Sequence, residues 1–473
     1  MRWTDRAKDA RWLLAALTIA NLVKFGFYGF QYFPVIDDYI QYHNYGLHES
    51  VIRDVFQRTG TLCARPLAGI FDAFVWGQFW GAMGLVLVAL TLLHAVAVWL
   101  LYRVFARSRI PCGRVFLTIA ALYPLLMEAT YWVSASSRLI MGLFLAALAA
   151  YLLCRYYDSG RVGTLVGFAV CNLLSYGFYE QVIPVSCLLA LFVVWNNRRK
   201  WWVAAIPLGN LAAVGVYYLL CRSMMGVNSV RSALSPDVLA HLGSIWEQVS
   251  AALGQFHWEL LQNSFISGLQ LLFTRWWYVL AIVPAALLLA LTGKRDTINR
   301  SWRKAILAIL LIAAPFAPYL ILETSHISFR NVFLPFLGVA MLVDMAFSGA
   351  AARAAAGVMA AVFLVCHVSE LHDYRAVYLT DRAIAAQIVP FVEDGSRPVY
   401  LVGAKDSYVP LNTYFHEHIH NVTQSDWALT GAVRSYAEDI GIRKVIPVPA
   451  GYTDFAENAL ILDIDETGYV TKR

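Results

Sequence analysis

The sequence predicts a polytopic α-helical membrane protein that ends in a small α/β domain. Three observations predict it. Only 14% of the 473 residues are charged and 59% are apolar, where an ordinary soluble domain carries about 25% charged residues. The apolar residues gather in runs near the length of about 20 that a helix needs to cross a bilayer, and the mean hydropathy is +0.57. From residue 370 on the balance turns acidic, with 9 Lys and Arg against 15 Asp and Glu. The 15 Trp, 25 Tyr and 26 Phe exclude a disordered chain, whose composition is poor in aromatics.

Eleven runs qualify as spans: 12–33, 80–102, 113–131, 138–156, 162–179, 182–196, 201–221, 275–293, 304–322, 331–349 and 352–369. The stretch 66–79 reads as a further re-entrant or interfacial segment. The first run keeps Lys24 and shows no small-x-small cleavage site, so it reads as a retained anchor. Basic residues set the orientation. With the N-terminus in the cytoplasm, the inner segments carry 19 Lys and Arg, from Arg2 through the Arg198-Arg199-Lys200 run to Arg353. The outer loops before residue 370 carry eight. An odd number of spans puts the C-terminus outside. Six of the seven cysteines lie in or beside apolar runs, leaving Cys63 in a polar loop, so no disulfide framework is expected.

Two outer loops, 34–79 and 222–274, are too long to be simple turns. The second has helix-like patches at 236–255 and 258–272 and is expected to lie along the membrane surface. The tail, 371–473, alternates helix-like runs (374–392, 425–440) with strand-like ones (399–402, 444–448, 459–464). About 100 residues suffice for a separate α/β domain. The outer face has no clustered basic patch of the kind that binds nucleic acid.

Chemistry is expected where spans leave the membrane on the outer side. Asp37-Asp38-Tyr39 follows the first span directly. Adjacent carboxylates at an interface raise each other's pKa, which suits a base or a metal ligand; a solvated loop start or a helix cap is the plain alternative. Arg65-Pro66 closes the same loop. Three more outer ends carry polar groups: 131–138 with Arg138, 176–181 with Tyr179 and Glu180, and 323–330 with His326 and Arg330. Snorkelling would account for Arg138 and Arg330, and plain exposure for Glu180 and His326. Together they set carboxylates, cations and tyrosines on one face, and polar groups lining a membrane cavity mark a functional site by default.

An acidic pair after the first span, a long outer loop, about eleven spans and an outer tail resemble the GT-C superfamily of membrane glycosyltransferases. The likeness is strongest to bacterial O-antigen glucosyltransferases and aminoarabinose transferases, and it covers residues 1–370. It implies an inverting transfer from a polyprenyl-phosphate sugar to an extracytoplasmic glycan or lipid acceptor in the bacterial cytoplasmic membrane. Asp37 or Asp38 would be the base. In that superfamily the first-loop acid is often followed by Asp or Glu, favouring Asp37; branches with a single Asp before Tyr favour Asp38. Arg65, Arg138, His326 and Arg330 would hold phosphate, and Tyr39, Tyr179 and Glu180 would contact the sugar. No cofactor is required, and a divalent cation between the acids is admitted. The tail is expected to shape acceptor access as a separately folded cap. A transporter or flippase of lipid-linked glycans, and a glycan polymerase, are the rival readings. The transporter predicts an internal repeat and mid-membrane polar sites; no repeat is visible, and most ionisable residues gather at span ends, with Lys24 and Asp344 the exceptions.

Overall fold

The computed structural model describes residues 3–44, 64–225, 237–292, 301–322, 327–392, 397–410, 419–437 and 444–473. The helices are α1 (Trp3–Phe25), α2 (Pro66–Phe74), α3 (Met83–Arg107), α4 (Arg114–Leu122), α5 (Val133–Ser159), α6 (Val162–Tyr176), α7 (Val182–Asn196) and α8 (Ala205–Met225). They continue as α9 (Val238–Leu253), α10 (Gln255–Thr274), α11 (Val279–Leu291), α12 (Trp302–Ala313), α13 (Pro335–Asp344), α14 (Gly349–Ile388) and α15 (Asp426–Arg434). Among the described residues, five helices are long and apolar enough to cross a membrane, or six if a pair bent by 113° at Arg275 counts as one span. Three shorter apolar helices, α6, α7 and α13, accompany them. The protein is helical and fit for membrane insertion.

Local chemistry explains the breaks. The expected run 113–131 is not one helix: Pro124 has no N–H to continue α4, Tyr123 turns extended, and the chain restarts as a 3-10 turn and a one-turn helix, Met127–Thr130. The loop 222–274 also differs from expectation. Its α10 packs along α14, with Ser264 Oγ donating to the Cys366 carbonyl at 3.1 Å, while Leu239, Leu242 and Trp246 of α9 stay exposed. The six described cysteines are free thiols.

The two ends of the bundle have different chemistry. At one end, the Asp344 carboxylate accepts from the Gly113 and Phe116 N–H groups at 2.8–3.2 Å and pairs with Lys304 Nζ at 2.7 Å. It thereby caps the N-terminus of α4, where the helix dipole favours an anion. At the opposite end, Lys24 lies in the last turn of α1 and donates to Thr130 Oγ1 at 2.8 Å. Both intramembrane exceptions noted in the sequence therefore sit at helix ends.

The tail forms a four-stranded sheet of β1 (Val399–Val402), β2 (Val445–Val448), β3 (Leu460–Ile464) and β4 (Val470–Lys472), in the order β2-β1-β3-β4. β1 pairs parallel to β2 and β3, and β3 antiparallel to β4. It is not separately folded. At 40 residues, α14 runs about 60 Å, twice a bilayer's hydrocarbon thickness of about 30 Å, so the boundary at 370 falls inside it. The tail's core takes Ile384 and Ile388 from α14, and also Ile36 and Tyr39 from the first loop. Gly431 lets α15 approach that loop: a Cβ there would stand 3.0 Å from Tyr39 Cβ and 3.1 Å from its carbonyl oxygen.

The basic inner segments predict that Lys200 and the tail lie on opposite sides of a membrane. Reporters fused after Lys200 and after Arg473 should label opposite faces of the membrane. Labelling of both on one face would overturn this arrangement.

Candidate functional site

The first two turns of α5 organise the site. A helix leaves its first N–H groups without intrahelical partners, and Trp132 at the N-cap supplies no side-chain acceptor. The loop after α1 supplies them instead. Val133 N–H donates to Tyr32 Oη at 2.8 Å, and Ser134 N–H donates to Asp38 Oδ1 at 3.2 Å. Ser134 Oγ adds a 2.5 Å bond to the same oxygen. Oδ2 accepts from Tyr32 Oη at 2.6 Å and Val35 N–H at 3.1 Å. Asp38 is fully buried. It is a helix cap after all, but for a helix 95 residues downstream.

Burial raises the Asp38 pKa to about 7, against the pull of the Ser134, Tyr32 and Val35 hydrogen bonds and with some help from the Asp37 charge. That value suits a base, yet the burial that produces it also bars a substrate hydroxyl. Asp37 keeps accessible surface. The turn that presents the pair is strained. Ile36 has φ +37°, a region β-branched residues avoid, and such a conformation persists where surrounding contacts over-determine it. Here Ile36 is buried in the tail's core and Asp38 clamps the next residues. A π-helix, Tyr39–Asn44, follows; π-helical turns concentrate at functional sites.

A second carboxylate joins one turn further along α5. Arg138 Nη2 pairs with Asp72 Oδ2 at 2.8 Å, and Tyr42 Oη donates to Asp72 Oδ1 at 3.2 Å. Asp72 is buried and Arg138 nearly so. The Arg138 Nε has no hydrogen-bond partner among the described residues. Beside it, Arg65 grips Glu180 through both ends of its guanidinium, at 2.7 and 2.6 Å, and lies 4.0 Å over the Tyr179 ring. Burial pushes the Glu180 carboxyl up, but the Arg65 charge and its two bonds hold it below the ordinary range.

The third pair is Arg330 with Glu128, at 3.0 Å. Ser328 Oγ donates to the same Glu128 oxygen at 3.0 Å, and Arg330 lies 5.3 Å over Trp132. Every expected phosphate-holding arginine thus has a carboxylate partner, two of which, Asp72 and Glu128, the sequence reading missed. Both lie inside apolar runs, and the only signal for them was that position. Tyr39 belongs to the tail's core, and Tyr179 accepts from Asn331 Nδ2 at 3.2 Å. His326 lies outside the described residues.

A cavity of about 440 Å³ opens against the acidic loop, between α3, α14 and the tail, and is lined by Tyr32, Tyr39, Trp80, Tyr378, Arg382 and Tyr436 among others. No group of three or more His, Cys, Asp or Glu that would hold a metal occurs among the described residues. No family model, curated protein or solved structure matches the chain.

Asp38 needs two acceptor oxygens, because main-chain N–H groups point at both. Asp38→Asn must set its NH₂ against one of them, which costs about 1–3 kcal/mol. Thermal unfolding in detergent should show that loss for Asp38→Asn relative to wild type. Wild-type stability of Asp38→Asn would refute the clamp.

Proposed function

We propose that the chain is an inverting glycosyltransferase of the GT-C type, with eleven spans and the tail on the extracytoplasmic face of the cytoplasmic membrane. It moves a sugar from a polyprenyl-phosphate donor to a glycan or lipid acceptor. The observation that carries the reading is the division of labour within the acidic pair. Asp38 is committed to α5 and the loop, while Asp37, one residue earlier on a strained turn, keeps accessible surface.

In the reaction the acceptor hydroxyl attacks the anomeric carbon as the bond to the phosphate oxygen breaks. The bonding electrons leave with the phosphate, a stable anion, so the second carboxyl that glycoside hydrolysis uses as an acid is not needed. The proton goes to Asp37 as general base. Asp38 positions the loop. A cation bridging the pair does not fit, because N–H and O–H hydrogens already point at both Asp38 oxygens. Transfer is proposed to proceed without one.

Arg138 and Arg65 are the better phosphate contacts. Arg138 keeps a buried N–H without an acceptor, and guanidinium groups suit phosphate. Asp72 and Glu180 orient them. Arg330, tied to fully buried Glu128, serves the architecture.

Purified protein in lipid nanodiscs, given a panel of polyprenyl-phosphate sugars and acceptors, should release the lipid phosphate. Asp37→Asn should still bind the donor but transfer about 10²–10⁴-fold more slowly, the usual worth of general acid–base catalysis. Transfer by Asp37→Asn at the wild-type rate would sink the assignment.

A further inference from the structure

The cavity between the acidic loop and the tail has a lining unlike the rest of this end of the bundle. Tyr32 and Tyr39 form its buried side, where Tyr32 is the residue that donates to Asp38. Trp80 and Tyr378, both half-buried, and the more exposed Tyr436 line it, and Gln31 and Ser435 add polar groups. Arg382 lies 5.8 Å from the Tyr436 ring. Unlike Arg65, Arg138 and Arg330, it has no carboxylate partner among the described residues. Its volume, about 440 Å³, falls in the range of small-molecule sites, about 300–1,000 Å³.

Each part of this lining selects a chemistry. Aromatic rings offer apolar surface to the C–H faces of pyranose rings, and tyrosine hydroxyls offer hydrogen bonds at their edges. A guanidinium without a carboxylate partner offers charge-assisted bonds to an anion. Pro34 and Tyr39 of the lining flank the acidic pair in the chain, so a ligand here lies against the loop that carries Asp37. We propose that the cavity is the acceptor subsite, and that it takes a saccharide bearing an anionic substituent. Trp80, Tyr378 and Tyr436 pack on its rings and Arg382 binds the anion. The inference rests on the transferase reading for the word acceptor, but the saccharide site stands on the lining alone. It also gives the tail a concrete role: Tyr436, just beyond α15, and Arg382, on the outer part of α14, complete a site that the membrane part leaves open on one side.

The test is equilibrium binding to the full-length protein in nanodiscs, without donor, using a galacturonic acid hexamer and the neutral maltohexaose. Wild type should bind the charged hexamer at least about 10-fold more tightly, the lower end of what one hydrogen bond to a charged group contributes. Arg382→Gln should erase that preference and Arg382→Lys should restore part of it. Tyr436→Ala, at a 40% exposed position where folding is little at risk, should weaken both ligands several-fold. An unchanged preference in Arg382→Gln, or no binding of either ligand by wild type, overturns the proposal. If the preference behaves as expected while no donor in the panel is turned over, the saccharide site stands and the transferase reading falls.

Discussion

The capping of α5 by the loop that follows α1 is the contact on which this end of the molecule depends. Two N–H groups at the start of a 27-residue helix need acceptors, and Tyr32 and Asp38 provide them from a segment 95 residues and more away in sequence. The helix dipole makes an anion the best occupant. Once Asp38 is seated, the chain on either side has little freedom. Val35 is tied to the same carboxylate, Ile36 is forced into the left-handed region, and Tyr42 is carried to the Val133 carbonyl at 3.0 Å and to Asp72. Asp37 inherits its position from its neighbours.

The same seating explains why the tail cannot be detached without consequence. Ile36 and Tyr39 point away from α5 and become part of the core that β1, β3 and α15 build. Buried Asp381, near the outer end of α14, accepts from Asn421 Nδ2 at 2.7 Å and Val422 N–H at 3.0 Å. One rigid helix and one clamped loop thus hold the tail from two sides. The strain at Ile36 persists because both neighbours, the membrane bundle and the tail, hold the turn.

Much of this was legible in the sequence, for identifiable reasons. Apolar runs and basic segments reflect the solvent each residue meets, which is a local property, and the strands at 399–402, 445–448 and 460–464 fall where β-branched runs lie. What stayed hidden is pairing. Arg65, Arg138 and Arg330 look like ligands in search of an anion when read along the chain, because Glu180, Asp72 and Glu128 lie 115, 66 and 202 residues away. Glu128 and Asp72 were also masked by the apolar residues around them. The acidic pair was found, but its internal roles depend on donors from residue 134, which no local pattern announces. The boundary at 370 was a poor guide to the core, since a helix 40 residues long ignores it.

The two ends of the bundle use buried ion pairs differently, and the difference bears on function. Burying opposite charges costs desolvation that their attraction only repays with good geometry. The Lys304–Asp344 pair is repaid in full by architecture: the carboxylate also caps α4, and Lys304 donates to the Pro111 carbonyl at 3.2 Å. At the other end three arginine–carboxylate pairs crowd around the start of α5, and the Arg65 and Arg138 charges repel each other. Architecture alone would be served as well by apolar packing there. On the transferase reading proposed above, the Arg65 and Arg138 guanidinium groups, each balanced by its own carboxylate, would hold the donor phosphate, and the carboxylates would act as fixed counter-charges that keep it from binding too tightly to leave.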